Sequence, residues 1–307
     1  MSKDVFVPLQ PLNTAVLFLV FNRLETTKQV FETIRLAKPP RLYIAADGAR
    51  ADREDESEKV EAVRRHILQA IDWECEVKTL FRDTNLGCKY AVSGGITWFF
   101  ESEEQGIILE DDCLPSQSFF WFCENMLERY KVDQRIFLVS GYNKQKEWKA
   151  EKNSFFFSNF GGIWGWASWK RAWDNYDIEM RDIDRFIEEN HFVNLLGKKL
   201  GLLRQNAIYD NIKVHNVNTW DYQWGYSRHK NNALSCVPSK SLIENIGFGD
   251  DATHTTVGSD DVKRLDIEFP IKDNFMMIPD RDYDDLFLTS SIRQKITQKL
   301  RRLVGKA

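Results

Sequence analysis

Unbroken apolar runs alternate with amphipathic stretches along the first third of the chain. AVLFLVF (15–21) is a short continuous apolar run, the pattern of a strand buried on both faces. TTKQVFETIRLA then sets Val30, Phe31 and Ile34 on one helical face, and Pro39-Pro40 ends it. RLYIAADG (41–48) predicts a second strand that stops at Asp47-Gly48, and EKVEAVRRHILQAI spaces Val60, Val63, Ile67 and Ile71 as a helix does. CEVKTLF alternates like a third strand. YAVSGGITWFFESEE predicts a helix despite its Gly94-Gly95 pair, and GIILEDD predicts a fourth strand. Strand and helix in strict alternation predict an α/β fold with a mainly parallel central sheet flanked by helices.

From about residue 131 the pattern changes. IFLVSGYN and SFFFSN predict further strands, and GGIWGWASWKRAWDNYD packs four of the ten tryptophans into ten residues. A long helical stretch over about 178–212 is expected next, then TWDYQWGYSRHKNNALSCVPS and the Gly-rich NIGFGDDATHT. No repeat or low-complexity linker separates the halves, so they are expected to share one body. The last stretch, 291–307, puts Ile292, Ile296, Leu300 and Leu303 on one helical face among six positive charges and no acid. A basic amphipathic tail suits either an anionic membrane surface or a helix docked on the protein.

At 307 residues, 43% of them hydrophobic, the chain can bury one large domain or two fused ones. A net charge of −4 gives no global attraction to nucleic acid. Five scattered cysteines without a CxxC pair or Cys/His spacing point to reduced thiols rather than zinc or disulfides. The apolar run at 15–21 is far below the roughly 20 residues of a membrane span and lacks the features of a signal peptide.

The chemistry is concentrated where the strands end. In open α/β sheets, ligands bind beyond the carboxyl ends of the strands. Here those ends carry Asn22-Arg23, Asp47-Gly48 and the triplet Glu110-Asp111-Asp112. Three adjacent carboxylates repel unless a cation neutralises them, and an Asp-rich strand end can hold Mg²⁺ or Mn²⁺ while leaving places for diphosphate oxygens. The competing reading is that Asp112 borders a turn beside two solvated acids. Arg23 offers a cation for phosphate and Asp47 a carboxylate for a base or ribose. The Trp-rich block offers flat faces for a glycan, although at least two of Trp164, Trp166, Trp169 and Trp173 are expected in the core. In TWDYQW, Asp221 is a single carboxylate among aromatics and a candidate general base. His254, in the Gly-rich loop, is a candidate contact for a phosphate or the leaving group.

LVFNR, IAADG, GCKYAVSGGITWFF, ILEDDCLPSQSFF, LVSGYN, GGIWGWASWKRAW, TWDYQW and SCVPSKSLIENIGFGDDATHT occur in an order that resembles glycosyltransferases of the GT-A fold. More closely the chain is similar to the N-acetylglucosaminyltransferase I family, in a bacterial-type form, over about residues 14–256. The resemblance implies a Rossmann-like donor half at 1–130, a smaller mixed acceptor and catalytic half at 131–290, and the basic tail at 291–307. It implies Asp112 as the direct Mn²⁺ or Mg²⁺ ligand, Asp111 on the donor's ribose or sugar, and Glu110 supporting the same site. Arg23 would face phosphate or base, Asp47 would hold uracil or another base, and Asp221 would deprotonate the acceptor hydroxyl. A histidine the family places before the GCKY-like helix has no counterpart, and Asn85 and Lys89 occupy that neighbourhood. The implied activity is metal-dependent, inverting transfer of a hexosyl or N-acetylhexosaminyl group from a nucleotide-diphosphate sugar to a glycan or lipid-linked glycan. With no anchor recognised, the resemblance points to a cytoplasmic enzyme at the inner membrane face. Two other readings stay open, a sugar-phosphate nucleotidyltransferase and a non-catalytic glycan-binding protein. Against the first, FNRLETT after the first strand has no glycine-rich phosphate loop.

Overall fold

The first apolar run forms β1 (Val16–Val20), buried along its whole length. A computed structural model describes residues 6–8, 10–247, 262–274 and 276–290; His254 and the tail at 291–307 lie outside the described residues. α1 (Leu24–Ala37) buries Val30, Phe31 and Ile34, and Lys38 closes it in the left-handed conformation ahead of the two prolines. β2 (Arg41–Ala46), α2 (Glu56–Ala70), β3 (Glu76–Phe81), α3 (Gly87–Ser102) and β4 (Gln105–Glu110) follow in the predicted order. α3 runs through its glycine pair because the sheet comes close to it. A Cβ on Gly95 would stand 3.1 Å from Leu19 Cδ2 and 3.2 Å from the Ala45 Cβ. Close packing on β1 and β2 offsets the roughly 1 kcal/mol that glycine costs a helix.

β5 (Cys113–Pro115) and α4 (Gln117–Arg129) come next, then β6 (Ile136–Ser140), β7 (Phe155–Ser158), β8 (Trp166–Trp169) and the short α5 (Lys170–Trp173). The expected long helical stretch is instead three pieces, α6 (Ile183–Glu188), α7 (His191–Leu196) and α8 (Lys198–Ile208), followed by a π-helical turn at Tyr209–Val214. The breaks fall at Asn190 (φ 58°) and Gly197 (φ 80°), whose left-handed backbone no continuous helix accepts. α9 (Asp221–Lys230), β9 (Leu234–Pro238) and β10 (Ile243–Asn245) follow, and residues 281–290 are helical.

Eight strands form one sheet in the order β3-β2-β1-β4-β8-β6-β9-β7, and β5 pairs with β10 in a separate two-stranded ribbon. β8 and β7 run against the other six, so the sheet is mostly parallel. Strands from before and after residue 131 share it, through the pairing of β4 with β8. The unbroken hydrophobicity of β1 now has its reason. Val16, Phe18 and Val20 enter the layer shared with α1, α2 and α4, while Leu17 and Leu19 enter the layer shared with α3 and α9. Trp166, Trp169 and Trp173 are buried, as expected for at least two of the block. Trp166 packs against Trp220 and Trp224 with ring centroids 5.7 and 5.9 Å apart. All five cysteines are free, and among the described residues no helix is long and apolar enough to cross a membrane.

One buried carboxylate ties the chain ahead of β1 to α4. Glu124 accepts hydrogen bonds from the amides of Asn13 and Thr14 at 2.7 and 2.8 Å and from the Thr14 hydroxyl at 2.8 Å. Glu124→Ala strands three donors and is expected to lower unfolding free energy by about 2–3 kcal/mol, read as a shifted urea midpoint with an unchanged slope.

Candidate active site

The chain leaves β1 outward to β2 and β3, then returns to lay β4 on the other side of β1. Neighbouring connections therefore diverge at the carboxyl ends of β1 and β4 and open a crevice between them. Arg23 follows β1, and Glu110 closes β4 in register with Leu19 of β1. The acids and the arginine thus meet because of strand order, with Arg23 and Asp111 lying 88 positions apart.

A cavity of about 730 Å³ occupies this crevice. Arg23, Asp47, Glu110, Asp111, Asp112 and Asp221 all line it, as do Arg82, Asn85, Cys88 and Trp164. Arg23 forms an ion pair with Asp111 and a second with Asp112 at 3.1 Å. The other Asp111 oxygen accepts the amide of Phe21 at 3.2 Å, so this buried carboxylate is spoken for on both sides. Asp112 is 19% exposed against 4% for Asp111. Gly247 packs directly over it, and a Cβ there would lie 2.3 Å from Asp112 Oδ2 and 2.8 Å from Arg23 Nη1.

The triplet is electrostatically strained. Burial pushes Glu110 up to about 8, helped by Asp112 and Asp111. Burial also lifts Asp111 to about 6 against the pull of Arg23. For Arg23, burial would lower the guanidinium's proton affinity, but the two aspartates outweigh it and hold it above its ordinary value. One guanidinium shared by three acids leaves an excess of negative charge that a further cation would relieve.

Asp47 shows a structural duty beside any binding role. Its carboxylate accepts the amides of Leu86 and Gly87, each at 3.0 Å, and so satisfies the first turn of α3. A ligand base reaching Asp47 competes with those amides. Asp47→Ala is expected to cost about 1–2 kcal/mol of stability and to speed amide exchange at Leu86 and Gly87, measurable by hydrogen exchange.

Asp221 opens α9, and the hydroxyl of Thr219 donates to its Oδ1. No hydrogen bond to its Oδ2 is made among the described residues, and Asp221 lines the shared cavity. Cys88 registers how closely the parts converge. Its thiol is pushed up to about 12 by burial and by carboxylates from three separate segments, Glu110, Asp221 and Asp47. Trp164 is the member of the tryptophan block that reaches the cavity, its ring 4.6 Å from that of Tyr142.

Lys89 is not among the lining residues. Its ammonium lies 3.4 Å from Glu179 and over the ring of Tyr90, while its backbone amide donates to Asn218 at 3.0 Å. Arg82 and Asn218 are lining residues that the sequence reading passed over. Arg82 follows β3 just as Arg23 follows β1, so the strand-end rule pointed to it. Asn218 carried no such signal, because its contact with α3 spans 129 positions.

No protein-family model matches the chain, and no curated protein does. Among solved structures it is similar to S. aureus TarS 1-349, with 7% identity, 75% of this chain and 59% of that one covered, and a TM-score of 0.40. It is similar also to 4-diphosphocytidyl-2C-methyl-D-erythritol synthase from Anaerococcus prevotii, with 11% identity, 75% and 92% covered, and a TM-score of 0.38. The glycosyltransferase GlyE of Streptococcus pneumoniae aligns at 11% identity over 81% of this chain and 58% of its own, with a TM-score of 0.33. Similarity of this degree does not assign a family.

Proposed function

We propose that this protein transfers a sugar from a nucleoside diphosphate sugar, a UDP-sugar foremost, to a hydroxyl of a glycan or lipid-linked glycan, with a divalent cation and inversion at the anomeric carbon. The observation that supports this reading is the convergence of Arg23, the Glu110–Asp112 triplet and Asp221 on one cavity at the divergence of β1 and β4. The site combines what phosphate binding and proton abstraction need, a guanidinium, carboxylate oxygens for a hard cation and a separate single carboxylate.

The donor set fits Mg²⁺ or Mn²⁺. Among the described residues no three ligating side chains converge on a point, so the protein would offer one carboxylate, Asp112, with phosphate oxygens and water completing the shell. When bound, such a cation neutralises the charge that builds on a departing diphosphate. Asp111 serves by holding the amide of Phe21 and the head of Arg23, which orients the connection after β1. Asp221, fixed through Oδ1 by Thr219, presents Oδ2 to the acceptor hydroxyl and takes its proton. A base facing the anomeric carbon from the side opposite the leaving group dictates a single displacement and hence inversion. Trp164 offers a flat face for a sugar ring.

The direct test is donor hydrolysis. Incubation with UDP-glucose or UDP-N-acetylglucosamine and Mn²⁺ should release UDP slowly, several-fold faster than with EDTA. Release of pyrophosphate from a nucleoside triphosphate and a sugar phosphate would replace this reading with nucleotidyl transfer.

A further inference from the structure

The helix that begins at Asp221 carries a second, unexplained feature one turn further along the same face. Asp221 and Gly225 are four residues apart on α9, so they stand one above the other, about 6 Å along the axis. Gly225 has no side chain, and the space is taken by the head of Arg204 from α8. A Cβ on Gly225 would lie 2.1 Å from Arg204 Nη2 and 3.4 Å from its Cζ, and among the described residues outside the local helix backbone nothing else lies within 4 Å.

The carboxylate whose charge attracts Arg204 is Asp221, without direct contact. Among the described residues Arg204 makes no hydrogen bond or ion pair, lies over the ring of Tyr222 at 5.8 Å, and leaves its Nε buried and unpartnered. Arg228, three residues beyond Gly225, is 4% exposed. It donates to the Ser235 hydroxyl, has an unpartnered Nε, and makes no ion pair among the described residues. His229 is buried near both arginines. Burial and the nearness of Arg204 lower the Arg228 guanidinium to about 9. The two guanidiniums repel each other, and among the described residues neither makes an ion pair, so both forgo the charge-paired hydrogen bonds a guanidinium favours. An oxyanion is the partner whose geometry and charge satisfy both deficits, since guanidinium presents paired donors to phosphate or carboxylate.

We propose that Arg204, backed by Arg228, is a binding site for an oxyanion, and that the acceptor substrate supplies it. The first half of this statement stands without the transfer reading, while the second rests on it. The acceptor then carries a phosphate or carboxylate about one helical turn, ~6 Å, from the hydroxyl that Asp221 deprotonates. That is the span of a single sugar residue.

Calorimetric titration with inorganic phosphate, and separately with acetate, tests the site on the full chain. Arg23→Gln removes the donor-side guanidinium as a competing anion site, and saturable phosphate binding should persist in it. Arg23→Gln/Arg204→Gln should bind phosphate roughly ten- to a hundredfold more weakly, as expected for lost hydrogen bonds to a charged group. Phosphate binding far tighter than acetate would identify a phosphoryl group, and the reverse a carboxylate. Gly225→Ala guards against a folding artefact. Its methyl displaces only the Arg204 head, and alanine favours the helix, so thermal stability should hold or rise while phosphate binding weakens. Unsaturable binding in Arg23→Gln, or undiminished binding in both Arg204→Gln and Gly225→Ala, would overturn the site. With the site established, Arg204→Gln should raise KM for anionic acceptors and leave kcat and neutral acceptors unaffected. Equal losses on neutral acceptors would show that Arg204 acts through Asp221 and would overturn the acceptor assignment, whereas absence of any transfer in the unmodified protein would overturn the proposed function alone.

Discussion

Asp221→Asn should reduce turnover by roughly 10²- to 10⁴-fold, the range that a positioned general base contributes, while changing affinity for the nucleotide sugar by less than about twofold. Asparagine is the informative replacement because it keeps the shape and an Oδ1 that still accepts the Thr219 hydroxyl. The start of α9 and the packing of Trp220 and Trp224 behind it should therefore be intact, and the melting temperature little altered. What is lost is the basic carboxylate that lines the cavity. Transfer measured at saturating donor and acceptor, together with calorimetry of UDP binding in Mn²⁺, separates the two quantities. A variant that turns over normally removes Asp221 from the chemistry. A variant that loses donor binding as well makes it part of the nucleotide site.

The second large effect concerns Asp112. Asp112→Asn should weaken Mn²⁺-dependent UDP binding by about a hundredfold or more, some 2.7 kcal/mol, and leave the weak binding seen in EDTA unchanged. The reason is that Asp112 is the more exposed of the two aspartates, whereas Asp111 is fastened by Arg23 and the Phe21 amide. Folding stability should move the other way or not at all. The substitution loses one partly exposed pair with Arg23 at 3.1 Å, worth at most about 1 kcal/mol, and removes a charge that repels both Glu110 and Asp111. A site that binds worse yet folds as well or better is the signature of a carboxylate kept for ligand rather than for structure. Equal UDP affinity in Mn²⁺ and in EDTA for the unmodified protein would remove the cation from the proposal.

Much of this architecture is legible along the chain. The apolar runs that became β1, β2 and β4 and the helical spacing of Val30, Phe31 and Ile34 are local patterns, readable over a few residues. So is the triplet of acids after β4, and the strand-end rule brought Arg23 and Asp47 into view beside it. The rule could have included Arg82. It could not show that the Asp47 carboxylate fastens the start of α3, 39 positions away. The split of the 178–212 stretch into α6, α7 and α8 was also hidden, since periodicity continues across Asn190 and Gly197 while their backbones do not.

The sequence alone determined the strands and helices from β1 to β4 and which chemical groups stand at their ends, because hydrophobic period and turn residues act over short distances. Only the tertiary structure decided that β4 lies beside β1, that one guanidinium is shared by Asp111 and Asp112, and that Arg204 fills the space Gly225 leaves. Those facts depend on strand order and close packing between distant segments, which no local period encodes.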